Sequence, residues 1–173
     1  MKMFKRLAAV LLAGVMVLAM LTACGGSDTS AIGEEFETRY MTCINAIRGD
    51  DAKKLENDSA MRNKALALLN NIDADGLIDA NKAYVTTSTP SADGKMVTVE
   101  LEQVVVTGQP VDGKYTAAEI TPETVSEIVV PDNVDSNTAA MMKMVNKIGI
   151  ATKEINGKTY AALAIEMTMP AQQ

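Results

Sequence analysis

Histidine and tryptophan are absent from this 173-residue chain, cysteine occurs twice, and aromatic residues make up only 3% of it. Without histidine there is no imidazole base, no imidazole metal ligand and no histidine-based nucleophilic triad. Beyond the N-terminal segment the only rings are Phe36, Tyr40, Tyr84, Tyr115 and Tyr160, and nothing in their spacing points to a stacking platform for sugars. Basic residues are in deficit too. Sixteen Lys+Arg against 22 Asp+Glu leave a net charge of −6, the wrong sign for a nucleic-acid partner. What is present is globular: 47% hydrophobic and 22% charged residues exclude wholesale disorder. The length suits one domain.

The N-terminus carries an address. Lys2, Lys5 and Arg6 precede the uncharged run Leu7 to Leu21, and Thr22-Ala23-Cys24 closes it with small residues. This is the three-part layout of a secretory signal peptide. The run is shorter than the ~20 apolar residues a spanning helix requires. Leu21-Thr22-Ala23-Cys24 resembles the lipobox of bacterial lipoproteins: an aliphatic residue, two small residues, then cysteine. The resemblance implies cleavage between Ala23 and Cys24, a thioether-linked diacylglycerol on Cys24, and residence on the extracytoplasmic face of a membrane. Two acyl chains on one residue hold a protein firmly, where one chain binds only marginally. Removing residues 1–23 strips three positive charges and no negative ones, taking the net charge from −6 to −9. An anionic lipid surface repels such a domain, so the lipid must hold it there. Cys43 then has no partner in the chain for a disulfide.

The expected organisation is a signal peptide (1–23), a lipidated cysteine with a Gly/Ser-type tether (24–33) and a single domain (34–173). Phe36, Tyr40, Cys43, Ile44 and Ile47 form an apolar helix stripe. Glu34, Glu35 and Glu37 suit the positive end of that helix, and Gly49 suits its stop. Asp50 and Asp51 can cap a short helix through Leu55. Met61, Ala65, Leu68, Leu69 and Ile72 repeat the helical spacing behind a cap at Asp58 or Ser59.

After Ala80 three turn signals follow: Asp93-Gly94, Asp112-Gly113 and Asn156-Gly157. Ala83–Thr89 and Met96–Val106 read as paired strands. The change of phase between Val97, Val99, Leu101 and Val104, Val106 predicts a bulge near Glu102-Gln103. Thr121 and Pro122 start a short helix ending near Val130. Met141, Met144, Val145 and Ile148 suggest another, begun at Asp135 or Ser136 and stopped by Gly149. Ala161, Leu163, Ile165 and Met167 form one face of a final strand. The fold class is α+β: N-terminal helices packed on one face of an antiparallel sheet built of hairpins, with short helices before the last hairpin. The opening helix with its Gly49-Asp50-Asp51 break and the Ile155–Tyr160 turn resemble NTF2-like domains, which implies a cone-shaped α+β fold, although the helix around Met144 departs from their usual order.

Few residues offer chemistry. Cys43 lies on the apolar stripe with no base to ionise it, and reads as a buried, inert thiol. Ser59-Ala60-Met61-Arg62 resembles a Ser-x-x-Lys motif, but arginine stays protonated and cannot be the base, so Ser59 reads as a helix cap. Asn57-Asp58-Ser59 has the form of a glycosylation acceptor. Met141, Met142 and Met144 could face a soft metal, and core filling explains Met141 and Met144 better. Asn71–Lys82 resembles an EF-hand calcium loop, with Asp73, Asp75 and Asp79 as weak candidate ligands around Gly76. Lys82 stands where the bidentate glutamate belongs.

These readings imply no catalytic residue, no cofactor and no resident metal. They lead to a lipid-anchored envelope protein that binds another envelope protein or a small ligand. The alternatives are a carboxylate-based hydrolase or other envelope enzyme, and a weak calcium-binding surface protein.

Overall fold

A computed structural model describes residues 29–131 and 133–171. The signal segment, Ala23, Cys24 and residues 25–28 lie outside the described residues.

Helix α1 (Thr29–Arg48) uses the expected stripe, with Phe36 and Ile44 buried and Tyr40, Met41 and Ile47 packed beside them. It begins before Glu34, inside the stretch expected to be tether. Ile32 packs on the core, and Gly33 lies so close to Thr152 that a Cβ there would stand 2.4 Å from its Oγ1. The acidic residues Glu34, Glu35 and Glu37 therefore sit beyond the first turn. Residues 50–55 form a turn and an extended segment instead of a second helix. Asn45 explains this: its Oδ1 accepts from Leu55 N and its Nδ2 donates to Leu55 O, both at 2.8 Å. Helix α2 (Ser59–Leu69) is capped by Asp58, whose Oδ1 accepts from Ala60 N and Met61 N at 3.0 Å.

The strands are β1 (Leu77–Asp79), β2 (Tyr84–Pro90), β3 (Met96–Val104), β4 (Val106–Val111), β5 (Lys114–Ala117), β6 (Val145–Ile155) and β7 (Lys158–Pro170). They make a four-stranded sheet in the order β2-β3-β7-β6 and a three-stranded sheet in the order β1-β5-β4, all antiparallel. Asp112-Gly113 and Asn156-Gly157 both have positive φ at their two residues, as tight hairpin turns demand. The phase change after Leu101 is not a bulge at Glu102-Gln103, where pairing runs without interruption. It is a change of sheet. Val105 N donates to Ala161 O of β7 while Val105 O accepts from Ala118 N beside β5.

Helix α3 (Pro122–Ser126) has the expected Thr121 cap and ends at Ser126, short of Val130. Helix α4 (Ser136–Lys143), capped by Asp135, ends before Val145. The expected continuation through Ile148 is instead β6. Ile148 and Ile150 lie opposite Ile165 and Leu163 of β7, and that cross-strand burial outweighs an accidental helical spacing. Met142, rather than Met141, is the buried methionine of α4, and Met144 is exposed.

Helices cover both faces of the four-stranded sheet, not one. Ala161, Leu163, Ile165 and Met167 of β7 face the cluster that includes Phe36 and Ile44 of α1. Tyr160, Ala162 and Ala164 face the opposite cluster with Met61, Ala65, Leu68 and Leu69 of α2. Burying a side chain such as Phe36 or Leu69 contributes about 1.5–3 kcal/mol each.

Candidate functional site

The densest polar cluster lies at the β6 edge, where α1, the residues before α2 and β6 converge. Glu37 of α1 accepts from Arg62 Nε and Asn57 Nδ2 on Oε2, each at 3.1 Å. On Oε1 it accepts from Arg62 Nη2 at 3.1 Å and from Thr152 N and Oγ1 at 3.0 Å. A carboxylate offers roughly four lone-pair positions, so this one is saturated. Its hydrogen bond with Glu37 raises the already high pKa of Arg62. Asn57 extends the cluster along the edge: Oδ1 accepts from Ile150 N at 2.9 Å and Nδ2 donates to Ile150 O at 3.0 Å. Asp58 N donates to Ile148 O at 2.8 Å. The cluster holds two helices and a strand edge together, and presents no group free to exchange a proton.

This places two sequence candidates. Arg62 is committed to Glu37, so Ser59-x-x-Arg62 is no nucleophile–base pair; Ser59 is exposed, and the cap is its neighbour Asp58. The amide of Asn57 is engaged on both sides, which leaves no free acceptor for a glycan. Glu37 itself was legible only as a helix-end charge. The stronger signal is its spacing with Met41, Ile44 and Arg48, at i, i+4, i+7 and i+11, which puts two charges on a half-buried face.

Cys43 is half-buried rather than fully buried, and Sγ lies 3.5 Å from Val129 O. Burial raises its pKa and disfavours the reactive thiolate. Tyr40, stacked on Phe36 at 5.6 Å, has its pKa raised above the ordinary tyrosine range, first by burial and then by Cys43.

The Asn71–Lys82 loop is organised by its own backbone and by lysines. Asp73 Oδ1 accepts from Leu77 N at 2.9 Å and Asp75 N at 3.1 Å, while Oδ2 accepts from Lys114 Nζ at 3.2 Å. These contacts, the Leu77 amide foremost, lower its pKa. Asp79 Oδ2 lies 3.6 Å from Lys82 Nζ, and Asp75 is exposed. Gly76 is required by packing: its φ is +78°, and a Cβ would stand 2.6 Å from Tyr160 Oη. Among the described residues no group of three or more Asp, Glu, Cys or His could hold a metal ion.

No protein-family model matches the chain, and no curated relative or solved structure is significantly similar to it.

Proposed function

We propose that this chain is a lipoprotein of the bacterial cell envelope, anchored through Cys24, whose α+β domain binds an envelope protein or small ligand without chemistry. The observation that carries the reading is Leu21-Thr22-Ala23-Cys24 at the end of an apolar run behind three basic residues. With α1 starting at Thr29, residues 25–28 reach at most about 18 Å when extended. The domain would therefore be held against the membrane rather than displayed far from it. Binding is favoured over carboxylate chemistry because eight carboxylates each face a lysine or arginine, Glu37–Arg62 and Glu100–Lys64 among them. A carboxylate oxygen already engaged by a cation has fewer positions left for a reacting substrate.

The test is mass spectrometry of the mature N-terminus with detergent partition. An acylated Cys24 peptide and partition into the detergent phase are expected, and Cys24→Ala should leave the precursor uncleaved. An unmodified N-terminus at another residue would overturn the reading.

A further inference from the structure

The two edges of the four-stranded sheet are treated in opposite ways. On β6 the outward groups of Ile148, Ile150 and Thr152 are filled by Asp58, Asn57 and Glu37. On β2 every residue is exposed, and among the described residues no group fills the outer side. Ala83 O accepts from Val104 N and Ser91 N donates to Met96 O, each at 2.9 Å. Antiparallel bonding alternates, so odd-numbered residues bond to β3 while Tyr84, Thr86 and Ser88 turn N–H and C=O outward. Natural edges are guarded by lysines, bulges, covering segments or proline. In β2, Tyr84-Val85-Thr86-Thr87-Ser88-Thr89-Pro90, the single such device is Pro90 at the far end.

We propose that β2 pairs antiparallel with β2 of a second copy, about a two-fold axis at Thr86, continuing the sheet from one molecule into the next. With Thr86 opposite its own copy, Tyr84 meets Ser88. Each outward N–H then finds a C=O, and Pro90, which has no N–H, falls beyond the last bonded pair. Sliding the register to set Tyr84 opposite Pro90 loses a donor. Charge selects the same occupant. Copies of a chain with net charge −6 repel each other except where charge is absent, and β2 is the uncharged strand of this sheet. Glu100 and Glu102, the carboxylates of the neighbouring strand β3, would lie three strand spacings from those of the second copy. That is about 14 Å, beyond the ~8–10 Å screening length. A strand pair alone buries less than the ~1,200–2,000 Å² of a stable complex, so association is concentration-dependent.

The experiment uses the mature lipidated chain in detergent, where the Cys24 sulfur is closed as a thioether on the reading above, with Thr86→Cys in a Cys43→Ala background. Directly opposed Cα atoms in a bonded antiparallel pair are ~5.5 Å apart, within disulfide range. Oxidation should give about tenfold more covalent dimer than the Cys43→Ala parent, or than Ala67→Cys on the exposed side of α2 in that background. Thr86→Pro removes an outward N–H without breaking a bond to β3, and should abolish self-association in sedimentation while the melting temperature holds. Thr86→Lys should do the same if proline disturbs the strand. Parent-level cross-linking at position 86 would overturn the proposal. So would undiminished self-association in both the proline and lysine variants, or cross-linking of position 86 to a different protein without dimer.

Discussion

Glu37 and Arg62 form a two-pronged ion pair that passes around the edge of the sheet, joining α1 on one face to α2 on the other through two bonds of 3.1 Å. The Glu37 side chain is only 13% exposed, whereas that of Arg62 is 40% exposed. The two ends of the pair are therefore unequal. Glu37→Gln leaves a partly buried guanidinium and the Thr152 amide with weakened partners, and should cost about 2–3 kcal/mol. Arg62→Gln leaves Glu37 its donors from Asn57 and Thr152, and should cost about 1 kcal/mol. Urea unfolding of both variants and the double variant checks this, with a non-additive sum expected.

Stability should fall at both ends of the pH range. The pKa values of Asp73, Asp93 and Asp135 are lowered, chiefly by the Leu77 amide, the Ser91 hydroxyl and the Thr138 hydroxyl respectively. Their contribution is present above the ordinary value of 3.8 and is lost as pH falls through the lower folded values. On the alkaline side Tyr40 is raised by burial, so its contribution is complete below 10.0 and declines above it. Lys64 and Lys158, raised by hydrogen bonds to Glu100 and Glu119, act in the same direction. Unfolding midpoints recorded against pH should show both limbs. Asp135→Asn should flatten the acid limb and Tyr40→Phe the alkaline one.

What was legible in the sequence was local. The α1 stripe, the Asp58 and Thr121 caps and the two tight turns depend on residues within a few positions of one another. The errors share a cause. Val145 and Ile148 fit a helical spacing, but a partner strand more than ten residues away decided their conformation. The phase change at Val104 and Val106 looked like a bulge near Glu102-Gln103 because nothing local reveals that the N–H and C=O of Val105 serve different sheets. The Glu37 cluster joins positions 37, 57, 62 and 152, and no short-range pattern connects a helix carboxylate to an edge strand that far along the chain.

The Asn71–Lys82 loop should show no specific calcium binding at the ~10⁻⁴–10⁻³ M typical of extracellular modules. Asp73 already spends both oxygens on amides and Lys114, and a cation there would have to displace that ammonium. Calorimetry should give no saturable heat, and calcium should raise the melting temperature no more than magnesium does. A calcium-selective signal lost in Asp73→Ala would place the protein in the calcium-binding class.

Gly149, read from sequence as a helix stop, is instead the point where α2 rests on β6. A Cβ there would lie 2.0 Å from Arg62 N and 2.1 Å from Met61 C. Both are backbone atoms, so α2 as a whole would have to move. Gly149→Ala should destabilise by about 3 kcal/mol, at the upper end of overpacking costs. Gly157→Ala, at φ +75° with nothing nearby, should lose only about 1 kcal/mol through the left-handed backbone. Equal losses in thermal unfolding would mean that α2 yields freely.

Arg48 ends α1 as a buried cation with no carboxylate partner among the described residues. It is 5% exposed, and burial lowers its pKa, though arginine remains charged. Its partners are carbonyls: Nη1 donates to Met142 O and to Val145 O, the latter at 3.0 Å, and Nη2 donates to Lys53 O at 3.0 Å. Met142 O belongs to the last turn of α4, where the helix dipole is negative. Arg48 thus caps α4 from another helix and fixes the junction at which α4 gives way to β6. Nε has no hydrogen-bond partner among the described residues, so some of the burial cost is not recovered. Arg48→Met should lose about 3–4 kcal/mol, because three carbonyls are left without this donor. Arg48→Lys keeps the charge but cannot span all three, and should recover roughly half of that loss. Hydrogen exchange separates capping from general packing. Amides of α4 should exchange faster in Arg48→Met at denaturant concentrations where those of α2 remain protected. Uniform loss of protection across both helices would show that Arg48 acts through the core as a whole and not through the end of α4.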